Sequence, residues 1–234
     1  MRKIIIEKEL FSKYPDFKRG LIIIKEIQNS SFNERISKLL EEQIETLKGN
    51  NLIEHEFVKA WDEIHRGFGS NPNKFPPSIK SLLKRVGKGD KIPFINCVVA
   101  LFNFISLKYL IPCGGDDIEK VEGNLRLGFA KGDEIFIPLG GNEQDNPVPG
   151  EVIYYDDFTK KVMCRKWNWR NGDFSKIEEK STKIVINVDG AEVVPESIVI
   201  QARDEMVNLL IEECHAKVSK SLLNKERNEI EIEI

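Results

Sequence analysis

Three short stretches concentrate the residues able to build a ligand site: Pro112-Cys113-Gly114-Gly115-Asp116-Asp117, Pro138-Leu139-Gly140-Gly141 and Cys164-Arg165-Lys166-Trp167-Asn168-Trp169-Arg170. Adjacent glycines allow positive φ angles and let a ligand come close to the main chain. Indole rings beside guanidinium groups suit stacking on bases and pairing with phosphates. In a continuous strand Trp167 and Trp169 would share one face, being two residues apart. Such a pair serves either the core or a base-stacking surface. The combination points toward nucleic acid.

Other chemistries lack their residues. No Gly-Lys-Ser/Thr follows the glycine pair at 140–141, no GxGxxG follows a strand, and HExxH is absent. Asp116, Asp117 and Glu119 lack the spacing and central glycine of a calcium loop, so an aspartate there is expected to cap the turn 118–120. Cysteines stand alone at 97, 113, 164 and 214, and histidines at 55, 65 and 215. No metal and no cofactor are therefore expected, and the cysteines read as reduced space-fillers.

The 234 residues, 41% hydrophobic and 31% charged, can bury a sizeable core. A formal charge of -3 and a pI near 5.8 oppose general coating of DNA, which is not an expected partner. Charge is nevertheless uneven. Residues 74–91 carry Lys74, Lys80, Lys84, Arg85, Lys88 and Lys91 against the single acid Asp90, and residues 160–170 carry Lys160, Lys161, Arg165, Lys166 and Arg170 with none. These are either solvated faces or the footprint of a folded RNA. No window is apolar enough for a membrane span, and the apolar run after Met1-Arg2-Lys3 is too short for a signal peptide, so a cytoplasmic protein is expected.

Elements must position these stretches. Runs at 3–6 and 20–27 read as strands, 33–47 and 53–64 as amphipathic helices, and 77 onward as a helix begun by proline. Residues 96–109 are apolar nearly all round and predict a buried helix. Short strands follow at 125–129, 134–137, 151–155, 162–165 and 184–188, then a long helix over 197–223 and an alternating edge strand or tail at 229–234. Helices interleaved with a strand-rich second half give an α+β fold. Residues 1–56 read as a strand and helix annex packed on a core unit spanning 57–234, the two forming one compact unit.

Several motifs in order carry a resemblance. Gly67-Phe68-Gly69, Pro76-Pro77-Ser78-Ile79 and Arg165 to Arg170, with Pro93 to Asn96, Asn103 to Pro112, Asp117 to Gly123, Gly132-Asp133-Glu134 and Leu139-Gly140-Gly141, make the chain similar to freestanding B-three/B-four domain proteins over roughly 57–190. Over roughly 93–190 it resembles the tRNA-binding and editing domain of the bacterial phenylalanyl-tRNA synthetase beta subunit. That domain cuts the ester joining a wrongly attached tyrosine to its tRNA. The resemblance implies a pocket between residues 113–117, 139–141 and the strand end at Asn187, where glycine-turn amides supply oxyanion contacts.

The implied pocket residues are Asn103, Lys108, Cys113, Gly114, Gly115, Asp116, Gly140, Gly141 and Asn187, with Arg165, Lys166, Trp167, Trp169 and Arg170 meeting RNA. The synthetase domain has histidine where this chain has Gly114, a tyrosine-reading glutamate at Asn187 and an aspartate at Ala100. Tyrosine specificity is thus not implied, and ligase activity is not expected. The expected partner is tRNA or aminoacyl-tRNA, with ester hydrolysis in trans, or else a small amino-acid-like molecule bound without catalysis.

Overall fold

The computed structural model describes residues 1–233. Two sheets and a helical layer divide the α+β chain. The first sheet has the order β10-β1-β4-β5-β6-β7, built from Glu229–Ile232, Arg2–Ile6, Leu125–Phe129, Val152–Asp156, Val162–Arg165 and Arg170–Asn171. The second has the order β3-β8-β2-β9, built from Cys113–Asp117, Ile184–Gly190, Lys18–Glu26 and Lys217–Leu223, all antiparallel neighbours. Helices are α1 (Lys8–Lys13), α2 (Glu34–Leu47), α3 (Glu56–Gly67), α4 (Ser78–Lys88), α5 (Cys97–Tyr109) and α6 (Glu196–Cys214).

The N-terminal segment contributes to both sheets. β1 lies between β10 and β4, and β2 between β8 and β9, so the first 26 residues are woven through both sheets. The strands' apolar runs explain this: Ile4, Ile6, Leu21, Ile22 and Ile24 are fully buried, which requires cover on both faces.

The expected apolar helix at 96–109 is α5. Asn96 caps it, accepting from the Val99 amide at 3.0 Å, and Leu110 ends it in the left-handed region (φ 57°). The chain then enters β3, whose first amide, at Cys113, donates to Ser106 Oγ at 2.9 Å. Asp117 caps the following turn through the Glu119 amide, as the sequence suggests.

Three expectations are corrected. The helix of 197–223 stops at Cys214, where His215 turns left-handed (φ 49°) and donates its amide to the Leu210 carbonyl. Residues 217–223 instead become β9 along the otherwise open edge of β2. No glycine or proline marks that stop, and the demand for a partner along β2 overrides helical spacing. Residues 134–137 form no strand, only an isolated bridge from Ile135 to Lys161. Gly114 and Gly115 are not a turn either, for both lie in β3 opposite Asn187 and Ile186.

Candidate functional site

The sheets face each other across a cavity of about 460 Å³. Strand alternation decides its floor: Gly114, Asp116, Asn187, Asp189 and Arg19 are register partners or two-residue neighbours, so they share the face turned away from α5 and α6. Tyr154 of β5, Cys164 of β6 and Trp167 close the opposite side, and Ser78, Ser81, Leu82 and Arg85 of α4 form a wall at helical spacing.

The floor is charged and buried. Arg19 grips Asp189 with both nitrogens, Nε to Oδ1 at 2.6 Å and Nη2 to Oδ2 at 2.8 Å, and its guanidinium lies 5.1 Å from the Tyr154 ring centre. Burial would lower the guanidinium, yet the Asp189 carboxylate beside it holds it above its ordinary value. Trp167 Nε1 donates to Asp189 Oδ2 at 3.2 Å. Asp116 accepts from Ser175 Oγ at 2.7 Å, and burial pushes its carboxyl up to about 7 against that bond and the Arg19 charge. Burial also raises the Tyr154 phenol, with Asn187 next to it, and both cavity thiols, Cys113 and Cys164. A thiolate nucleophile is disfavoured there.

Arg19 Nη1, Tyr154 Oη and Asn187 Oδ1 are buried on this floor without a well-formed hydrogen bond among the described residues, the Asn187 amide lying beside the phenol. A buried polar atom left unpaired costs about 1–3 kcal/mol. Three converging on one cavity mark where a polar ligand would be held.

Main-chain donors contribute less than the glycine pairs suggest. The Pro112 carbonyl accepts from the Asp189 amide and the Ile118 amide donates to Lys183, so even-numbered residues of β3 hydrogen-bond to β8. Odd-numbered amides point off the sheet edge. Cys113 uses Ser106 and Asp117 uses the Ser175 carbonyl, while Gly115 has no partner among the described residues. Gly140 (φ 72°) donates to Asp173 Oδ1 at 3.1 Å and Gly141 to the Pro138 carbonyl at 2.8 Å. Neither lines the cavity, although Leu139 does.

The other expected residues divide. Asn103, Cys113, Gly114, Gly115, Asp116 and Asn187 line the cavity, whereas Lys108 pairs with Glu205 of α6 outside it. Arg165 and Lys166 are buried on Glu151: Arg165 Nε and Nη2 each lie 2.8 Å from a carboxylate oxygen, and Lys166 Nζ lies at 2.7 Å. Asp145 Oδ1 lies 2.8 Å from Arg165 Nη1, so two carboxylates answer the two cations. The two tryptophans do not share a face, because Lys166 (φ 46°) and Trp167 (φ 64°) turn the chain left-handed between β6 and β7. Trp167 goes inward, edge-on to Tyr14, Phe17 and Trp61, while Trp169 and Arg170 stay at the rim.

Arg19, Asp189, Tyr154 and the α4 wall escaped the sequence reading. Arg19 sits at the start of an apolar run, and nothing local marks it; a charge opening an otherwise fully buried strand was the one available signal.

Fold and floor together define an α+β domain whose cavity holds a buried ion pair beside unpartnered polar groups. The profile of the B3/4 domain family matches residues 60–215, and the chain belongs to that family. A curated relative, the phenylalanine--tRNA ligase beta subunit of Fusobacterium nucleatum, is 24% identical over 203 residues, covering 85% of this chain. The match spans 24% of that subunit's length. Among solved structures, an N-terminal fragment of the phenylalanyl-tRNA synthetase beta subunit from Pyrococcus horikoshii aligns over 94% of this chain and 53% of its own, at 13% identity and a TM-score of 0.47.

Proposed function

We propose that the cavity receives the aminoacylated end of a tRNA and hydrolyses its ester in trans. The observation that carries this reading is the convergence of Arg19 Nη1, Tyr154 Oη and Asn187 Oδ1, unpaired, beside Asp116. An aminoacyl ester offers complementary groups: an ammonium for the carboxylates, a carbonyl oxygen for the guanidinium, and a side chain for the phenol and amide.

Hydrolysis of such an activated ester needs a positioned water and charge stabilisation. One Asp116 oxygen is engaged by Ser175, leaving the other to take a proton from water as that water's oxygen attacks the carbonyl carbon. Arg19 stabilises the oxyanion. The carbon–oxygen bond to ribose then breaks, the ribose oxygen takes a proton, and a free amino acid and uncharged tRNA leave. Of the five residues expected to meet RNA, Trp169 and Arg170 act directly in this proposal. Arg165, Lys166 and Trp167 act from the interior by holding the rim in place.

The test is a panel of tRNAs charged with different amino acids, followed for ester release and for salt-sensitive binding. Release from one charged species, abolished by Arg19→Ala in a protein that remains folded, is expected. Binding of a free amino acid with neither release nor tRNA affinity would replace this proposal with a non-catalytic binder.

A further inference from the structure

Basic residues continue along α4 beyond the cavity. Ser78, Ser81, Leu82 and Arg85 face the cavity, and Lys88, three residues after Arg85 at the helix end, also borders a second groove lined by Asn50, Asn51 and Lys84. Arg85 and Lys88 are exposed, with Lys84 beside them and Lys91 three residues beyond. None of these four has an ion-pair partner among the described residues, and neither does Arg170 at the cavity rim. Elsewhere exposed cations are paired in places, as in Lys48 with Glu45, Lys59 with Glu54 and Lys217 with Glu26, while Lys8, Lys131, Lys161, Lys225 and Arg227 stand singly and are scattered rather than gathered beside a cavity. Even within the basic run of 74–91, the buried Lys80 is paired with Asp62.

Closing the helix does not require these charges. Gly89 (φ 75°) donates its amide to the Arg85 and Val86 carbonyls, and the Asp90 amide also reaches Arg85, so the last carbonyls already have partners. An acidic chain thus keeps an unneutralised cationic strip leading into its cavity. An aromatic stands at the start of the same helix: the Ser78 amide donates to the Asn168 carbonyl at 3.0 Å, and Trp169 is half-buried with its ring 4.7 Å from that of Phe75 and the Lys74 ammonium 5.1 Å from Phe75.

We infer that the exposed side of α4 at Arg85 and Lys88, with Trp169 and Arg170 beside the start of that helix, seats the single-stranded 3′ end of an RNA and leads it into the cavity. This rests on the aminoacyl-RNA reading of the cavity. A flexible polyanion suits a strip one helix wide that ends at an aromatic ring, where a base can stack while phosphates meet the cations. The seat lies on α4 because Arg165 and Lys166, the sequence's stronger candidates, are committed to Glu151.

The experiment uses the full chain, a short single-stranded RNA oligonucleotide without an amino acid, and binding measured at several salt concentrations. Arg85→Glu with Lys88→Glu is compared with Lys225→Glu plus Arg227→Glu, which makes the same change in net charge on the exposed turn between β9 and β10. Each phosphate neutralised on a single strand adds roughly -0.7 to the slope of log affinity against log salt. The α4 pair should flatten the slope by about 1.4 for two contacts and weaken binding at least about tenfold at low salt, while the turn pair leaves the slope intact. Equal losses in both variants, or none in either, would overturn the seat.

Deacylation separates this inference from the reading beneath it. Release that persists in the α4 variant with unchanged dependence on tRNA concentration removes the seat and keeps the cavity's role. RNA binding that depends on α4, in a protein releasing no ester, removes the hydrolysis and keeps the seat.

Discussion

Replacing Asp116 with asparagine gives the most direct reading of the cavity's electrostatics. Burial holds the carboxyl near 7 against an ordinary value of 3.8, a difference of about 3 units and so up to ~4 kcal/mol between protonation states. Because the folded value is the higher one, the group's favourable contribution is complete below about pH 4 and is lost as pH rises through about 7. His65 runs the other way. Burial lowers it from 6.5 to about 4, so its contribution is present above 6.5 and lost as pH falls through 4. The two profiles partly cancel in the native protein, and only the difference between native and variant isolates Asp116. Asparagine can still accept from Ser175 and resembles the protonated acid. Urea unfolding at intervals from pH 4 to 8 should show the variant gaining on the native protein with rising pH, by up to ~4 kcal/mol across the range. A difference that stays flat would mean that Asp116 is solvated, refuting the enclosed floor. If Asp116 also accepts the water proton, ester release by the native protein rises with pH through about 7 and the variant lacks that limb.

A Cβ at Gly115 would lie 2.5 Å from the Val185 carbonyl oxygen, whereas one at Gly114 meets nothing within 4 Å. Gly115→Ala should therefore cost about 1–3 kcal/mol in thermal or urea unfolding and Gly114→Ala almost nothing, with the reverse order contradicting the β3–β8 register. Glu151→Gln leaves the buried Lys166 without a carboxylate and Arg165 with only the exposed Asp145, with an expected loss of about 3–5 kcal/mol in urea unfolding; a loss under about 1 kcal/mol would place both cations in water. Arg19→Lys removes the two-pronged grip on Asp189 and should weaken any cavity ligand at least about tenfold while the protein remains folded, as read by calorimetry; unchanged affinity would exclude Arg19 from ligand contact.

Local patterns made much of the fold legible. The apolar circumference of 96–109 announced a buried helix, Asn33 and Asn96 marked helix starts that are true caps, and the turn after Asp117 followed from its carboxylate. The cavity's glycine wall was also visible, because Pro112 and the glycines stand out against their neighbours. The fate of charge was not. Arg165 and Lys166 looked like phosphate ligands because Glu151, which pairs with both, is 14 and 15 residues away in the chain. The stop at His215 was silent because β9 is fixed by pairing with β2, about 200 residues earlier.

By itself the sequence determined the element types wherever a cap, a proline or an unbroken apolar period governs the backbone locally, together with the motifs that carry the family. Tertiary structure alone decided which polar groups face the cavity and which cations are left for a partner. Arg19 meets Asp189 only because β2 and β8 lie side by side, and Trp167 turns inward only because Asp189 and an aromatic cluster receive it. Charge pairing and burial depend on distance in space, and no period along the chain encodes that distance.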